Sequence, residues 1–251
     1  LPSGEMHVEA AVDLAGEAIT LLGAAPPPHT PGEPSVQRLT VFWASRDGRV
    51  GSFSWPEFPD GPRWTADPGD HGRPLATLAC PDGEDGSLRF FFAWANGRAE
   101  WRDETGELLP GWPVQLATPL AGQPCVADPD ADGVLETILV EEDGTVHLLD
   151  PGGSEELLWP RSLWTEDETY RPPQVCGARG WDVTGDGVAE IVIQRSDGFV
   201  VAWDARGVNA PDWPYSTGRN AVSGPFWMRA GGGFRRSEEH TSELQSHGTI
   251  S

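Results

Sequence analysis

The chain has 251 residues and a formal net charge of −22 at pH 7, and all 17 of its basic residues are arginine. Without lysine there is no Walker A loop, Schiff base or lysine general base, and so acidic a surface repels nucleic acid and anionic lipid. Gly (31) and Pro (24) punctuate it too densely for long helices or for a membrane-spanning apolar run, while 12 Trp residues exclude a low-complexity disordered chain.

Along the chain, short apolar runs alternate with turns. Residues 1–35 are expected to hold the end of a preceding repeat unit, because Asp13–Gly16 resembles the later Asp204–Gly207 turn, followed by a Pro-rich loop. Strands are expected around Leu39–Ala44 and Val50–Ser54, joined by Asp47-Gly48 and trailed by Trp55-Pro56. Asn96-Gly97, Gly106 and Trp112-Pro113 mark a second copy of this pattern. Asp143-Gly144, Gly153 and Trp159-Pro160 mark a third, and Asp197-Gly198, Gly207 and Trp213-Pro214 a fourth. The turn glycines Gly48, Gly97, Gly144 and Gly198 are 49, 47 and 54 residues apart.

Units of that length have room for four strands of about five residues each. They predict an all-β fold, a partial β-propeller of four recognisable four-stranded antiparallel blades. The blades fall at 36–64, 75–113, 124–160 and 175–214, within a propeller fragment spanning 36–235. A β-sandwich explains separate strands but not a fixed register across copies. Each Asp-Gly or Asn-Gly pair predicts a two-residue hairpin turn with positive φ at both positions. The recurring Trp before Pro is expected to plug the space between blades.

Two copies carry an acidic loop ahead of their second strand. Asp128, Asp130 and Asp132 precede Gly133, Val134 and Glu136; Asp182, Thr184 and Asp186 precede Gly187, Val188 and Glu190. Alternating oxygen ligands, a Gly at the sharp turn, a backbone carbonyl from Val134 or Val188 and a closing carboxylate suit calcium, a hard cation that accepts many oxygens in loose geometry. An EF-hand is excluded, since its last ligand would fall on Leu139 or Ile193. The first loop has the richer carboxylate set and is expected to bind more tightly. The second copy has Pro81, Gly83, Asp85 and Arg89 at these places, with Arg89 a candidate to fill the space of the missing cation.

These loops, followed by the D-G-x-V-x-x-W-D pattern at Asp197–Asp204, resemble the bacterial FG-GAP/VCBS repeats related to integrin α-subunit propellers. Leu109–Val114 is similar to stretches seen in such propellers. The resemblance spans roughly residues 36–228. It implies structural calcium sites, a role in extracellular adhesion or ligand binding, and a complete ring of more blades than this chain supplies. Some carbohydrate lyases use a similar scaffold.

No G-x-S-x-G, H-E-x-x-H or Gly-rich phosphate loop occurs, and His7, His29, His71 and His147 lack a nucleophile-like setting, so they are assigned to the surface. Cys80, Cys125 and Cys176 are expected to be buried free thiols. The longest spacing between copies places an insertion at Ser162–Pro173, on the rim away from the acidic loops. Trp164, Tyr170 and Arg171 are its candidate ligand-binding residues. Residues 236–251 resemble the translation of a short-read sequencing adapter and count as a non-native tail.

The expected function is a non-catalytic, calcium-stabilised β-propeller module for extracellular binding or adhesion. Its ligand would be a protein or a carbohydrate, with no nucleic acid and no membrane insertion, in an extracellular or periplasmic location. The alternative is a propeller-scaffold carbohydrate-active enzyme, a polysaccharide lyase or hydrolase.

Overall fold

The computed structural model describes residues 19–25, 39–55, 63–67, 69, 72–82, 87–164, 173–221, 227–230 and 233–236, and no helix occurs among them. Four antiparallel sheets of four strands follow one another along the chain. The first comprises β1 (Ile19–Ala25), β2 (Leu39–Ser45), β3 (Val50–Trp55) and β4 (Trp64–Ala66). The second comprises β5 (Pro74–Asp82), β6 (Ser87–Trp94), β7 (Arg98–Arg102) and β8 (Val114–Gln115). The third holds β9 (Cys125–Ala127), β10 (Glu136–Val140), β11 (Thr145–Leu149) and β12 (Arg161–Ser162). The fourth holds β13 (Val175–Trp181), β14 (Glu190–Arg195), β15 (Phe199–Trp203) and β16 (Tyr215–Ser216), and a hairpin of β17 (Trp227–Ala230) and β18 (Gly233–Arg236) follows.

The middle strands are apolar at successive positions because both faces of each sheet are covered. On β6, Phe90, Phe92 and Trp94 turn to Phe42, Ala44, Val50 and Trp64 of the first sheet. Phe91 and Ala93 turn the other way and join Trp101 to Leu139 and Leu149 of the third. Ile138, Val140, Val146 and Leu148 then meet Ile191, Ile193, Val201 and Trp203 of the fourth. Alternation along a strand here separates one neighbour from the other rather than core from solvent. Four-stranded meanders stacked face to face in chain order are the blades of a β-propeller, and this chain forms an arc of four.

Strand boundaries differ from the sequence expectation in three places. Ile19–Ala25 pairs with β2, Leu22 opposite Trp43, so it opens the first blade instead of ending an earlier one. The outer strands β8, β12 and β16 follow Trp-Pro rather than lead into it. The reason is an Asp that first closes a turn on itself: Asp103 Oδ1 accepts the amides of Thr105 and Glu107, and Asp204 Oδ1 those of Arg206 and Val208. In the first blade Trp64, not Trp55, holds the repeated Trp position, pairing with Ser52 and lying over Gly106 of the next blade.

The hairpin turns also differ in type. Gly48, Gly97, Gly144 and Gly198 have positive φ, but the Asp or Asn before each does not. Gly144 N donates to Glu141 O and Glu141 N to Thr145 O, a type I turn closed by a left-handed Gly. Asp143 Oδ1 accepts Thr145 N at 2.9 Å, which holds the Asp in this arrangement. A side chain on Gly144 would strike the Trp164 indole. Residues 237–251 of the adapter-like tail lie outside the described residues.

The Trp-Pro bonds at Trp112, Trp159 and Trp213 are cis, and the residue before each Trp has positive φ: Gly111 (83°), Leu158 (78°) and Asp212 (64°). Gly alone adopts this backbone freely. Leu158 is 54% exposed, so its side chain returns little packing. Leu158→Gly is therefore expected to stabilise the protein by about 0.5–1 kcal/mol, net of the extra chain entropy Gly brings. Thermal unfolding checks this, and an unchanged or lowered Tm would contradict it.

Candidate functional site

The loop between β9 and β10 is folded by its own carboxylates. Asp128 Oδ1 accepts Asp132 N at 3.1 Å and its Oδ2 accepts Gly133 N at 2.9 Å. Asp130 Oδ1 also accepts Asp132 N (3.3 Å), and Asp132 Oδ1 accepts Val134 N (2.7 Å). Left-handed Ala131 and Gly133 supply the tight bend. The result gathers one carboxylate oxygen each from Asp128, Asp130 and Glu136 within 4.8 Å of one another. Asp132 is turned to its own loop amide, and Val134 is exposed.

Glu136 is the unusual member. Pairing with Ala127 draws it into the sheet, where it is 3% exposed and its Oε2 has no hydrogen-bond partner. Burial, followed by the nearby charge of Asp130 and the lesser ones of Asp132 and Asp128, pushes its carboxyl up to about 8. A buried, unpartnered carboxylate oxygen among further carboxylates is costly by itself. An all-oxygen donor set of this kind fits a hard cation such as calcium.

The loop between β13 and β14 makes the same turn with a different outcome. Asp182 accepts Gly185 N and Gly187 N, and Asp186 accepts Val188 N. Glu190, however, accepts Val183 N at 2.7 Å and Thr184 Oγ1 at 3.1 Å. In the first loop these two places are Pro129, which has no amide hydrogen, and Asp130, which has no hydroxyl. Glu136 thus loses both internal donors that satisfy Glu190. Among the described residues, only Asp128, Asp130 and Glu136 gather into such a cluster.

In the second blade, Arg89 stands at the register of Glu136 and Glu190. It is buried, its Nε donates to Cys80 Sγ at 3.1 Å, and its guanidinium lies over the Trp101 ring. Gly83 and Asp85 lie outside the described residues.

The insertion residues divide. Tyr170 and Arg171 lie outside the described residues. Trp164, expected on the rim as a stacking group, is 8% exposed inside the junction of the third and fourth blades. Its indole N–H donates to Asp143 O and Arg195 stacks on its ring, so it packs rather than offers itself to a ligand. Trp112 and Trp159 do plug the gaps between blades, donating to Pro151 O and Ala205 O of the next blade. Trp213 is half-buried.

His147 is buried, not on the surface. Its Nε2 meets Glu141 Oε1 at 2.7 Å and its Nδ1 meets Glu155 Oε1 at 2.5 Å. Sequence reasoning also missed Glu100, fully buried, which accepts Arg98 Nε (2.9 Å) and Nη2 (2.6 Å) and Arg102 Nε (2.6 Å). Arg, Glu and Arg at alternate positions of one strand were the available signal, since all three share a face.

No family model matches the chain, and no curated protein matches it. Its four stacked antiparallel sheets place it among the β-propellers, and solved structures share that fold. BBS1N in complex with ARL6DN, in a mercury-soaked crystal, matches with a TM-score of 0.60 and 15% identity over 86% of this chain and 60% of that one. The lead-soaked crystal of the same complex matches with a TM-score of 0.57 and 16% identity over 87% and 61%. The chain spans 60–61% of the length of those chains. The V. cholerae biofilm matrix protein Bap1 matches with a TM-score of 0.49 and 15% identity over 80% of this chain and 31% of that one.

Proposed function

We propose that the chain is a non-catalytic binding propeller whose third blade is stabilised by calcium at Asp128, Asp130 and Glu136. The observation that supports this is the orphaned Glu136 oxygen, buried beside two further carboxylates. A divalent cation would neutralise that cluster and link the loop to β10; its chemistry there is structural. The repeat pattern resembles that of FG-GAP/VCBS propellers, and a protein partner is the ligand class we favour, since BBS1N was solved in complex with ARL6DN. Weak calcium sites fill at extracellular concentrations, which suits an extracellular or periplasmic location.

The loops are unequal in this reading, because Glu190 already has its donors. Calorimetric calcium titration of the chain is expected to give one dominant site. Asp130→Asn should weaken it by about tenfold or more, whereas Asp186→Asn should leave the main isotherm in place. Absence of calcium heat in the parent chain, or equal losses in the two variants, would reject the proposal.

A further inference from the structure

The junction between the second and third blades contains a group that the metal loop does not explain. His147 lies on β11 opposite Leu139 of β10, facing the second blade. Its ring nitrogens meet two carboxylates on opposite sides, one from Glu141 at the end of β10 and one from Glu155 in the turn leading to β12. A neutral imidazole carries one N–H and cannot donate to both; imidazolium can. Glu141 does more than receive His147, since its Oε2 accepts the Thr118 hydroxyl at 2.8 Å and the Thr118 amide. Thr118 belongs to the crossover from β8 to β9, which packs Leu116 and Leu120 into the same junction. One imidazolium therefore bridges the crossover, through Glu141, and the outer turn, through Glu155.

Among the described residues, the charged groups that act on His147 are these two carboxylates. From the other elements at the junction come the uncharged Thr118 and the apolar Leu116, Leu120, Leu139 and Leu149. We propose that His147 is a pH-sensitive latch: doubly protonated, it ties the Glu155 turn to the body of the third blade, and on losing a proton it lets that turn go. Burial decides which bond survives. The Glu141 side chain is 2% exposed and that of Glu155 is 32% exposed. Water can replace the partner of Glu155 but not that of Glu141, so the remaining N–H stays with Glu141. The released turn carries Leu157 and Leu158, exposed at 84% and 54%. Burial alone would lower the imidazole's pKa, but the hydrogen bonds and charges of Glu155 and Glu141 outweigh it and raise it. The latch is thus closed below the ordinary histidine range and opens as pH climbs through the elevated value.

Amide hydrogen exchange on the full chain tests this, with rates corrected for intrinsic base catalysis. Between about pH 6 and about pH 9, in a Glu136→Gln background that removes the acidic loop's own titration, protection at Glu156 and Trp159 is expected to fall by about threefold or more, while that of Thr137–Val140 holds. Glu155→Ala, a change at a partly exposed site that removes the acceptor and supplies no donor, should leave the chain folded and make the turn's protection low and independent of pH. Titration of the His147 ring by NMR supplies a second reading, expected above the ordinary histidine range. A ring titrating at or below that range, or a turn equally protected at both pH values, would overturn the latch.

Discussion

Replacing Glu100 by leucine is expected to cost about 3–5 kcal/mol of folding stability. The carboxylate has no exposed surface and holds two guanidinium groups, Arg98 and Arg102, whose side chains are 19% and 10% exposed. Removing the anion leaves two cations facing each other beside Phe92 at the junction with the first blade. Arg102 keeps one bond, to Gly106 O at 2.6 Å, and Arg98 keeps none of those it made to Glu100. Urea unfolding reads the loss directly, as a drop in midpoint with an unchanged slope. Exchanging all three residues for Met, Leu and Met should recover most of it, because an apolar trio avoids the unpaired charge. A loss below about 1 kcal/mol for Glu100→Leu would mean that water reaches the trio.

The second large effect joins calcium and pH at Glu136. Its folded-state pKa, raised to about 8, lies above the ordinary carboxylate range. The unfolded chain therefore releases this proton first as pH rises, and the folded state falls behind. Stability in chelator should decline from about pH 5 to about pH 8, by roughly 2 kcal/mol once solvent near the loop is allowed for. Calcium at about a hundred times its dissociation constant should add about 2.7 kcal/mol and offset the decline. Glu136→Gln separates the contributions. In chelator at pH 8 it should melt about 5 °C higher than the parent, and it should no longer respond to calcium. A variant that melts lower in chelator, or still gains stability from calcium, would contradict this account of the loop.

The architecture was legible because turn chemistry repeats. Asp-Gly, Gly and Trp-Pro at fixed offsets mark the same four-stranded unit in three copies, and the weaker first unit kept its hairpin. Boundaries were less legible for a local reason. Asp103, Asp150 and Asp204 each organise a turn through side-chain bonds to amides, which delays the outer strand past Trp-Pro. In the acidic loops, residue spacing put both candidates at the same turn between the first two strands of a blade, but the difference between them lay at two positions that spacing ignores. Pro129 and Asp130 remove donors that Val183 and Thr184 supply. Trp164 and His147 were misplaced because residues that look like an inserted loop and an outward strand position are covered by neighbouring blades. Stacked sheets leave no solvent face on their middle strands, so alternation says which neighbour a residue meets and not whether it is buried.

Glu100, His147 and Val201 occupy one and the same place in successive blades, on the middle strand facing the blade before. The first is an anion held by two cations, the second a ring held by two anions, and the third is part of an apolar cluster. Tandem units of similar shape are prone to docking out of turn while they fold. Here each polar trio is complete within its own blade, Arg98, Glu100 and Arg102 on β7 and His147 with Glu141 and Glu155 in the third, so a blade that docks out of turn takes its charges and their partners with it. Charged groups can thus sit in the seams without any neighbour having to neutralise them, and the order of the blades is left to the shapes of their apolar faces and to the chain that joins them.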